Sequence, residues 1–288
     1  MTAEPTATAP ASRTLEARNL VKDFRLRNGL KVSTLHAVKD VSFTLEAGRT
    51  IALVGESGSG KSTIARMLAR LETPTSGQIL LDGKATGGGR SVAAYRGDVQ
   101  MVFQDPFASL NPFHSIAHHL ERPLKIHNPG ISRTELRRRV LELLDRVRLV
   151  PSDRMAERRP HELSGGQRQR VAIARALAPG AQFIIADEPV SMLDVSIRLG
   201  VLNLLAQLQR EDHLGVLYIT HDLATARHFS DEILVMYHGD IVERGPADHV
   251  ILDPQHEYTR TLLGAAPDPE NQGMLRDQVR RELAAQQP

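Results

Sequence analysis

The chain has no cysteine among its 288 residues. That excludes disulfides, thiolate metal sites and cysteine nucleophiles, and it fits a reducing cytosol. Long apolar runs are also missing. No stretch approaches the roughly 18 consecutive apolar residues that a membrane-spanning helix needs. Any work at a membrane would have to pass through an integral partner. A strong charge imbalance is absent too. The formal net charge is +2, although the isoelectric point is near 9.0. Basic residues are interspersed with acidic ones. The densest cluster, 133–148, alternates charge along a helical pattern, as a solvated face does. Composition therefore gives no reason to expect nucleic acid as a partner. The first residues, rich in Ala, Thr and Pro, lack the basic flank and apolar centre of a signal peptide. Residues 1–13 are expected to be a disordered tail.

What is present is enough for a folded enzyme-sized body. Hydrophobic residues make up 41% and charged residues 24%, the balance of an ordinary globular core. The length allows one large domain or two small ones. Short apolar runs at 51–54, 100–103, 183–186, 215–219 and 232–236 alternate with helical patterns. Near-continuous apolar strands of this kind indicate a parallel sheet covered on both faces, hence an α/β fold. Segments 15–24 and 41–45 read as a smaller antiparallel piece. Between 105 and 178 the strand signals vanish. There, 134–149 sets Leu136, Val140, Leu143, Leu144 and Val147 on one helical face. That stretch is expected to be a helical insertion, or else a set of crossover helices packed on the sheet.

The run Gly55-Glu56-Ser57-Gly58-Ser59-Gly60-Lys61-Ser62 follows the apolar strand 51–54 and precedes a helical stretch that starts at Thr63. Strand, glycine loop and helix in that order form a phosphate-binding P-loop. Glycines let the backbone wrap a polyphosphate, and the loop amides with the helix start face the anion. Lys61 can reach the β- and γ-phosphates of a nucleoside triphosphate, and Ser62 can ligate Mg²⁺.

A second apolar strand, 183–186, ends in Asp187-Glu188-Pro189. Carboxylates at the C-terminal end of a buried strand stand where α/β sheets place their ligands. Asp187 would join the Mg²⁺ shell, and Glu188 would polarise a water for attack on the γ-phosphate. Leu163-Ser164-Gly165-Gly166-Gln167 opens another helix. Ser164 can cap it, and the glycines bare its first amides to an anion. One nucleotide does not need two such helix starts from one chain. A head-to-tail dimer, with each triphosphate between one P-loop and the other chain's Ser-Gly-Gly, uses both.

Taken together, these motifs make the chain resemble an ATP-binding subunit of an ABC transporter, from about residue 15 to about residue 265. Residues 55–62 match the Walker A motif, Gln104 the Q-loop, 163–167 the family signature and 184–188 Walker B. Ser191-Met192-Leu193-Asp194 resembles the D-loop, with Met192 where Ala is usual, and His221 matches the switch histidine. The resemblance implies a P-loop NTPase core with a mainly parallel sheet, a small antiparallel β subdomain and a helical insertion. It implies a nucleotide-binding domain over 14–264, with the helical subdomain at about 105–178 and a tail over 265–288. It also implies roles. Phe24 stacks on adenine. Gly55, Ser57, Gly58, Ser59, Gly60, Lys61, Ser62 and Thr63 hold phosphates. Ser62, Gln104 and Asp187 surround Mg²⁺, Glu188 is the base, and His221 contacts the γ-phosphate. Ser164, Gly165, Gly166 and Gln167 close over the ATP of a partner chain.

The stretch 102–112, the stretch 186–197 and the terminal His256-Glu257-Tyr258-Thr259 are similar to dipeptide and oligopeptide importer ATPases. Many of those relatives continue into a tail with a cysteine cluster, which this chain lacks. Its own tail is expected to form a short helix through Leu275, Val279 and Leu283. The resemblance implies an ATPase at the cytoplasmic face of the cell membrane, held peripherally by integral-membrane permease subunits. It would be paired with a second ATP-binding subunit, identical or homologous, and served indirectly by an extracytoplasmic solute-binding protein. This chain is more similar to the second of the two ATPases that usually serve such importers. The solute is a peptide, with oligosaccharide and nickel as alternatives. Two further classes are weighed. A non-transport member acting on nucleic acid or ribosomes would carry two P-loops or long coiled coils. A regulatory module without hydrolysis would lack Glu188 or His221.

Overall fold

The structure is a computed structural model, and it describes residues 13–29, 31–86 and 92–265. The expected tail over residues 1–12 and the expected helix through Leu275, Val279 and Leu283 lie outside the described residues. Arg13, assigned to the tail from sequence, instead joins the folded body. Its guanidinium donates to Asp82 at 3.0 Å and Asp98 at 2.9 Å.

Strands β1 (Thr14–Asn28) and β2 (Lys31–Glu46) form a long antiparallel pair, and β3 (Thr50–Val54) leads into α1 (Lys61–Leu68). Next come β4 (Ser76–Leu81), β5 (Lys84–Ala85), α2 (Val92–Asp98) and β6 (Val99–Val102). A helical block follows: α3 (Pro106–Ser109), α4 (Ile116–His127), α5 (Arg133–Arg146), α6 (Ser152–Glu157) and α7 (Gly165–Leu177). The chain then returns through β7 (Phe183–Asp187), α8 (Val195–Asp212), β8 (Gly215–Thr220) and α9 (Leu223–Phe229). It closes with β9 (Glu232–Tyr237), β10 (Asp240–Pro246), α10 (Ala247–Leu252) and α11 (Glu257–Ala265).

The main sheet runs β10-β9-β3-β8-β7-β6. Its strands are parallel except β10, which pairs antiparallel with β9 at the edge. A smaller antiparallel sheet runs β2-β1-β4-β5. Both sheets expected from the sequence are thus present. Strands β4, β10 and the two-residue β5 were not foreseen. The first half of β4 is exposed, and β10 carries Asp240, Glu243 and Arg244 along the sheet edge. The apolar runs they offer, Ile79-Leu80-Leu81 in β4 and Ile241-Val242 in β10, are too short to read as strands.

Alternation along the central strands sorts the core into two layers, because successive side chains leave a strand on opposite faces. Ile51, Leu53, Phe183, Ile185, Leu217 and Ile219 pack with α1 and the small sheet. Ala52, Val54, Ile184, Ala186, Val216 and Tyr218 pack with the helices of the other face. The middle stretch is helical, as expected, and α5 buries Leu136, Val140, Leu143 and Leu144. Yet it has no core of its own. Its apolar faces belong to the same buried cluster as the lower face of the sheet. Ser115 and Ser132 start α4 and α5 by accepting the amides of His118 and Glu135, which satisfies donors that the first helical turn leaves free.

Candidate functional site

The parallel strands deliver their C-terminal ends to one edge. Val54 of β3 lies opposite Thr220 of β8, and Asp187 of β7 opposite Ile219. From β3 the chain enters the glycine loop, which is pressed against its neighbours. A Cβ on Gly55 would stand 2.1 Å from the Met236 carbonyl oxygen, and one on Gly60 would stand 2.2 Å from that of Ala37. Gly60 also caps α1 with a left-handed φ of 110°, which side chains resist. Lys61 folds back over the loop. Its ammonium donates to the carbonyls of Gly55 and Glu56, each at 2.7 Å. Burial pushes its pKa down, against the pull of Glu188, Asp187 and Glu56. The buried Ser59 hydroxyl has no partner. An orphaned donor, a buried cation and a cradle too tight for Cβ atoms suit a polyphosphate.

Beside the loop, the Ser62 hydroxyl donates to Asp187 Oδ1 at 3.1 Å. Burial raises the Asp187 pKa, the Ser62 bond opposes that, and the Glu188 charge adds to it. At Glu188 the backbone turns left-handed, with φ 44°, and its amide donates to the Ile219 carbonyl at 3.0 Å. This turn holds the carboxylate between two neighbours. Gln104 Nε2 donates to Glu188 Oε2 at 2.9 Å, and His221 Nδ1 stands 3.4 Å from Oε1. Gln104 follows β6 and His221 follows β8, the strands on either side of β7. The structure therefore gathers Lys61, Ser62, Gln104, Asp187, Glu188 and His221 into one constellation.

Ser164 and Gln167 start α7 with a reciprocal cap. Ser164 Oγ accepts the Gln167 amide at 3.3 Å, and Gln167 Oε1 accepts the Ser164 amide at 2.9 Å. Gly166 is fitted against α8, where an added Cβ would stand 2.5 Å from Ile197 Cγ2. Among the described residues no hydrogen bond or ion pair joins 164–167 to the loop at 55–63. Phe24 is half-buried on β1, with the Lys22 ammonium 4.9 Å from its ring centre. Its β2 partner is Leu35, two residues from the Ala37 that abuts Gly60. The ring thus belongs to the part of the ribbon that passes the loop.

Comparison with known proteins decides the family. The ABC transporter family model matches residues 38–191, more than half of the chain. The chain belongs to the ABC transporter family. It is 46% identical over 263 residues to the oligopeptide transport ATP-binding protein OppF of Haemophilus influenzae, covering 89% of this chain and 79% of that one. It is 49% identical over 260 residues to the glutathione import ATP-binding protein GsiA of Escherichia coli K12. That match covers 88% of this chain but only 41% of GsiA, so the chain spans less than half of that relative. Among solved structures, the dimeric post-hydrolysis ABC cassette MJ0796, bound to ADP and Pi, matches with TM-score 0.71 and 32% identity. The match covers 81% of this chain and 98% of that one. The cbiO1 protein of Clostridium perfringens matches with TM-score 0.72 and 27% identity, over 91% of this chain and 98% of that one. This ABC subunit is therefore an ATP-binding, ATP-hydrolysing protein of the peptide-importer branch. No helix among its described residues is long and apolar enough to cross a membrane.

Beside the constellation the ABC subunit has a cleft of about 870 Å³, whose lining includes Ser62, Gln104, Asp187, Ala108, His118 and Arg175. The apolar stretch after Gln104 divides between core and surface. Asp105 accepts the amides of Phe107 and Ala108 and so nucleates the short helix α3. Phe107 is half-exposed, with the Arg168 guanidinium 4.1 Å from its ring. Leu110 is core, at 2% exposure, and the outward residue is Phe113, at 82%. Sequence reasoning also missed the stacked pair His114 and His118, with centroids 4.0 Å apart. It missed the contact of Tyr258 with the P-loop as well, because residues 202 positions apart leave no joint pattern.

Proposed function

We propose that this chain is one of two ATP-binding subunits that drive a peptide importer from the cytoplasmic face of the membrane. The observation that carries the reading is the placement of Glu188 between Gln104 and His221, beside the Ser62–Asp187 pair and Lys61. The loop amides and Lys61 bind the phosphates, with Phe24 against the adenine. Ser62, Gln104 and Asp187 would hold Mg²⁺, which when bound offsets the phosphate charge. Glu188 takes a proton from the water that attacks the γ-phosphorus, and ADP and phosphate leave. His221 orients the γ-phosphate. Ser164, Gly165, Gly166 and Gln167 of a second ATP-binding chain close the site, and the dimeric form of the MJ0796 relative supports that arrangement. The α3 segment meets the permease subunits, and a solute-binding protein outside the membrane supplies cargo to them. The relatives named for oligopeptide and for glutathione, itself a peptide, favour peptide over oligosaccharide or nickel.

Glu188→Gln tests the reading, because the amide keeps the shape of the side chain but cannot accept the proton. Turnover should stop while ATP stays bound between two chains. Size exclusion with ATP and Mg²⁺, on the chain alone and mixed with its companion ATPase, should show a persistent dimer. A monomer with wild-type hydrolysis would remove Glu188 from the role of base.

A further inference from the structure

The segment His256-Glu257-Tyr258-Thr259 marks the importer branch, yet it has no part in the constellation above. Its tyrosine reaches the P-loop. The Glu56 amide donates to the Tyr258 hydroxyl at 3.0 Å, and the Gly55 carbonyl accepts from Lys61 Nζ at 2.7 Å. Those two groups belong to one peptide unit. In a trans peptide the C=O and N–H point in opposite directions from a rigid plane. That plane is therefore gripped at both edges, by Lys61 and by Tyr258. The grip has work to do, because Gly55 has no Cβ and puts up little steric resistance to rotation of the peptide that follows it.

The hydroxyl is delivered by a braced element. Glu243 of β10 accepts the amides of Gln255 at 2.7 Å and His256 at 3.0 Å, and the Tyr258 amide donates to His256 Nδ1 at 3.1 Å. The Tyr258 ring lies on that of Tyr237, at the end of β9, with centroids 4.1 Å apart, and Tyr258 is only 8% exposed. Burial of the ring accounts for an aromatic residue here. It does not account for a phenol whose oxygen meets a loop amide.

We propose that Tyr258 is a positioning residue for ATP: its hydroxyl fixes the Gly55–Glu56 peptide and holds the mouth of the P-loop in binding shape before nucleotide arrives. A pre-shaped loop spares the ordering cost that would otherwise weaken binding. The same bond turns the Glu56 amide away from the phosphates, which leaves that task to the later amides of the loop.

The test uses the full chain. Tyr258→Phe removes one oxygen and keeps the ring. It should raise the Kd for MgATP by about three- to tenfold, the range of one net hydrogen bond. Melting without nucleotide should stay within about 2 °C of wild type. Thr261→Ala removes a hydroxyl from the same helix, where it donates only to Glu257, and should leave Kd alone. An unchanged Kd in Tyr258→Phe overturns the proposal. So does a weakened Kd that comes with a collapse of nucleotide-free melting, since that marks a merely structural residue. Amide exchange gives a readout without any variant. In the wild-type chain the Glu56 amide should exchange slowly, and free exchange there also sinks the idea.

Discussion

Lys61 is a cation held in a nearly closed pocket by two carbonyls, with its charged form already penalised by burial. Phosphate oxygens offer that charge a better partner than peptide carbonyls do. Lys61→Ala should therefore weaken ATP binding by about 1.5–3 kcal/mol, the worth of a charge-assisted hydrogen bond, as read by calorimetric titration. Asp187 carries the opposite sign of stress. Burial raises its pKa above the unfolded value. The native state then holds the proton more tightly, so stability falls as pH rises from the unfolded to the folded pKa. The whole penalty is present once the pH exceeds the folded pKa. Asp187→Asn keeps the acceptor for Ser62 and should raise the melting temperature of the nucleotide-free chain by roughly 2 °C or more, while Mg²⁺-dependent hydrolysis is lost. A melting temperature below wild type would refute the strain. These residues were legible from sequence because each motif is short and contiguous. Their partners were not. The left-handed turn at Glu188, the orphaned Ser59 hydroxyl and the reach of Tyr258 all depend on strands brought together by folding.

Among elements, the strands with unbroken apolar runs were readable, whereas β4, apolar only in its last three residues, and the mixed edge strand β10 were not. The helix face of α5 could be read because a 3.6-residue period reports burial on its own. Around α3 a short apolar run without a period leaves inside and outside undetermined, and only the fold sends Leu110 inward and Phe113 outward. The difference in burial between Leu110 and Phe107 separates two substitutions. Leu110→Ala should cost about 2–5 kcal/mol by leaving a cavity in the core, seen as a lowered melting temperature. Phe107→Glu should spare the fold, since the carboxylate would face the Arg168 guanidinium that now covers the ring. It should abolish solute uptake in cells if α3 meets the permease. Uptake that persists beside normal melting would move the docking surface elsewhere.

Over the whole molecule, the two helix starts proposed to hold phosphate open α1 and α7, and no hydrogen bond or ion pair among the described residues links one to the other. The motifs implied a second chain for this reason, since two half-sites are economical only when shared. Ser164→Arg should leave ATP binding to the single chain within about twofold of wild type, an effect well under 1 kcal/mol. It should prevent the nucleotide-held dimer on size exclusion, because a long side chain would fill the space of the γ-phosphate. Equal loss of affinity in Lys61→Ala and Ser164→Arg would argue against sharing.

The helical block and the lower face of the sheet are one apolar mass. A filled interior of this kind does not stretch, and opening a gap in it exposes surface that water penalises. A shift of the block that keeps this packing costs less than one that opens a gap in it. The motion expected of the block is a slide across the sheet of about 1–2 Å, as packed helices make. On the function proposed above, a signal from Gln104 would reach the far side of the block as a small translation. Any larger stroke has to come from entire subunits approaching and parting.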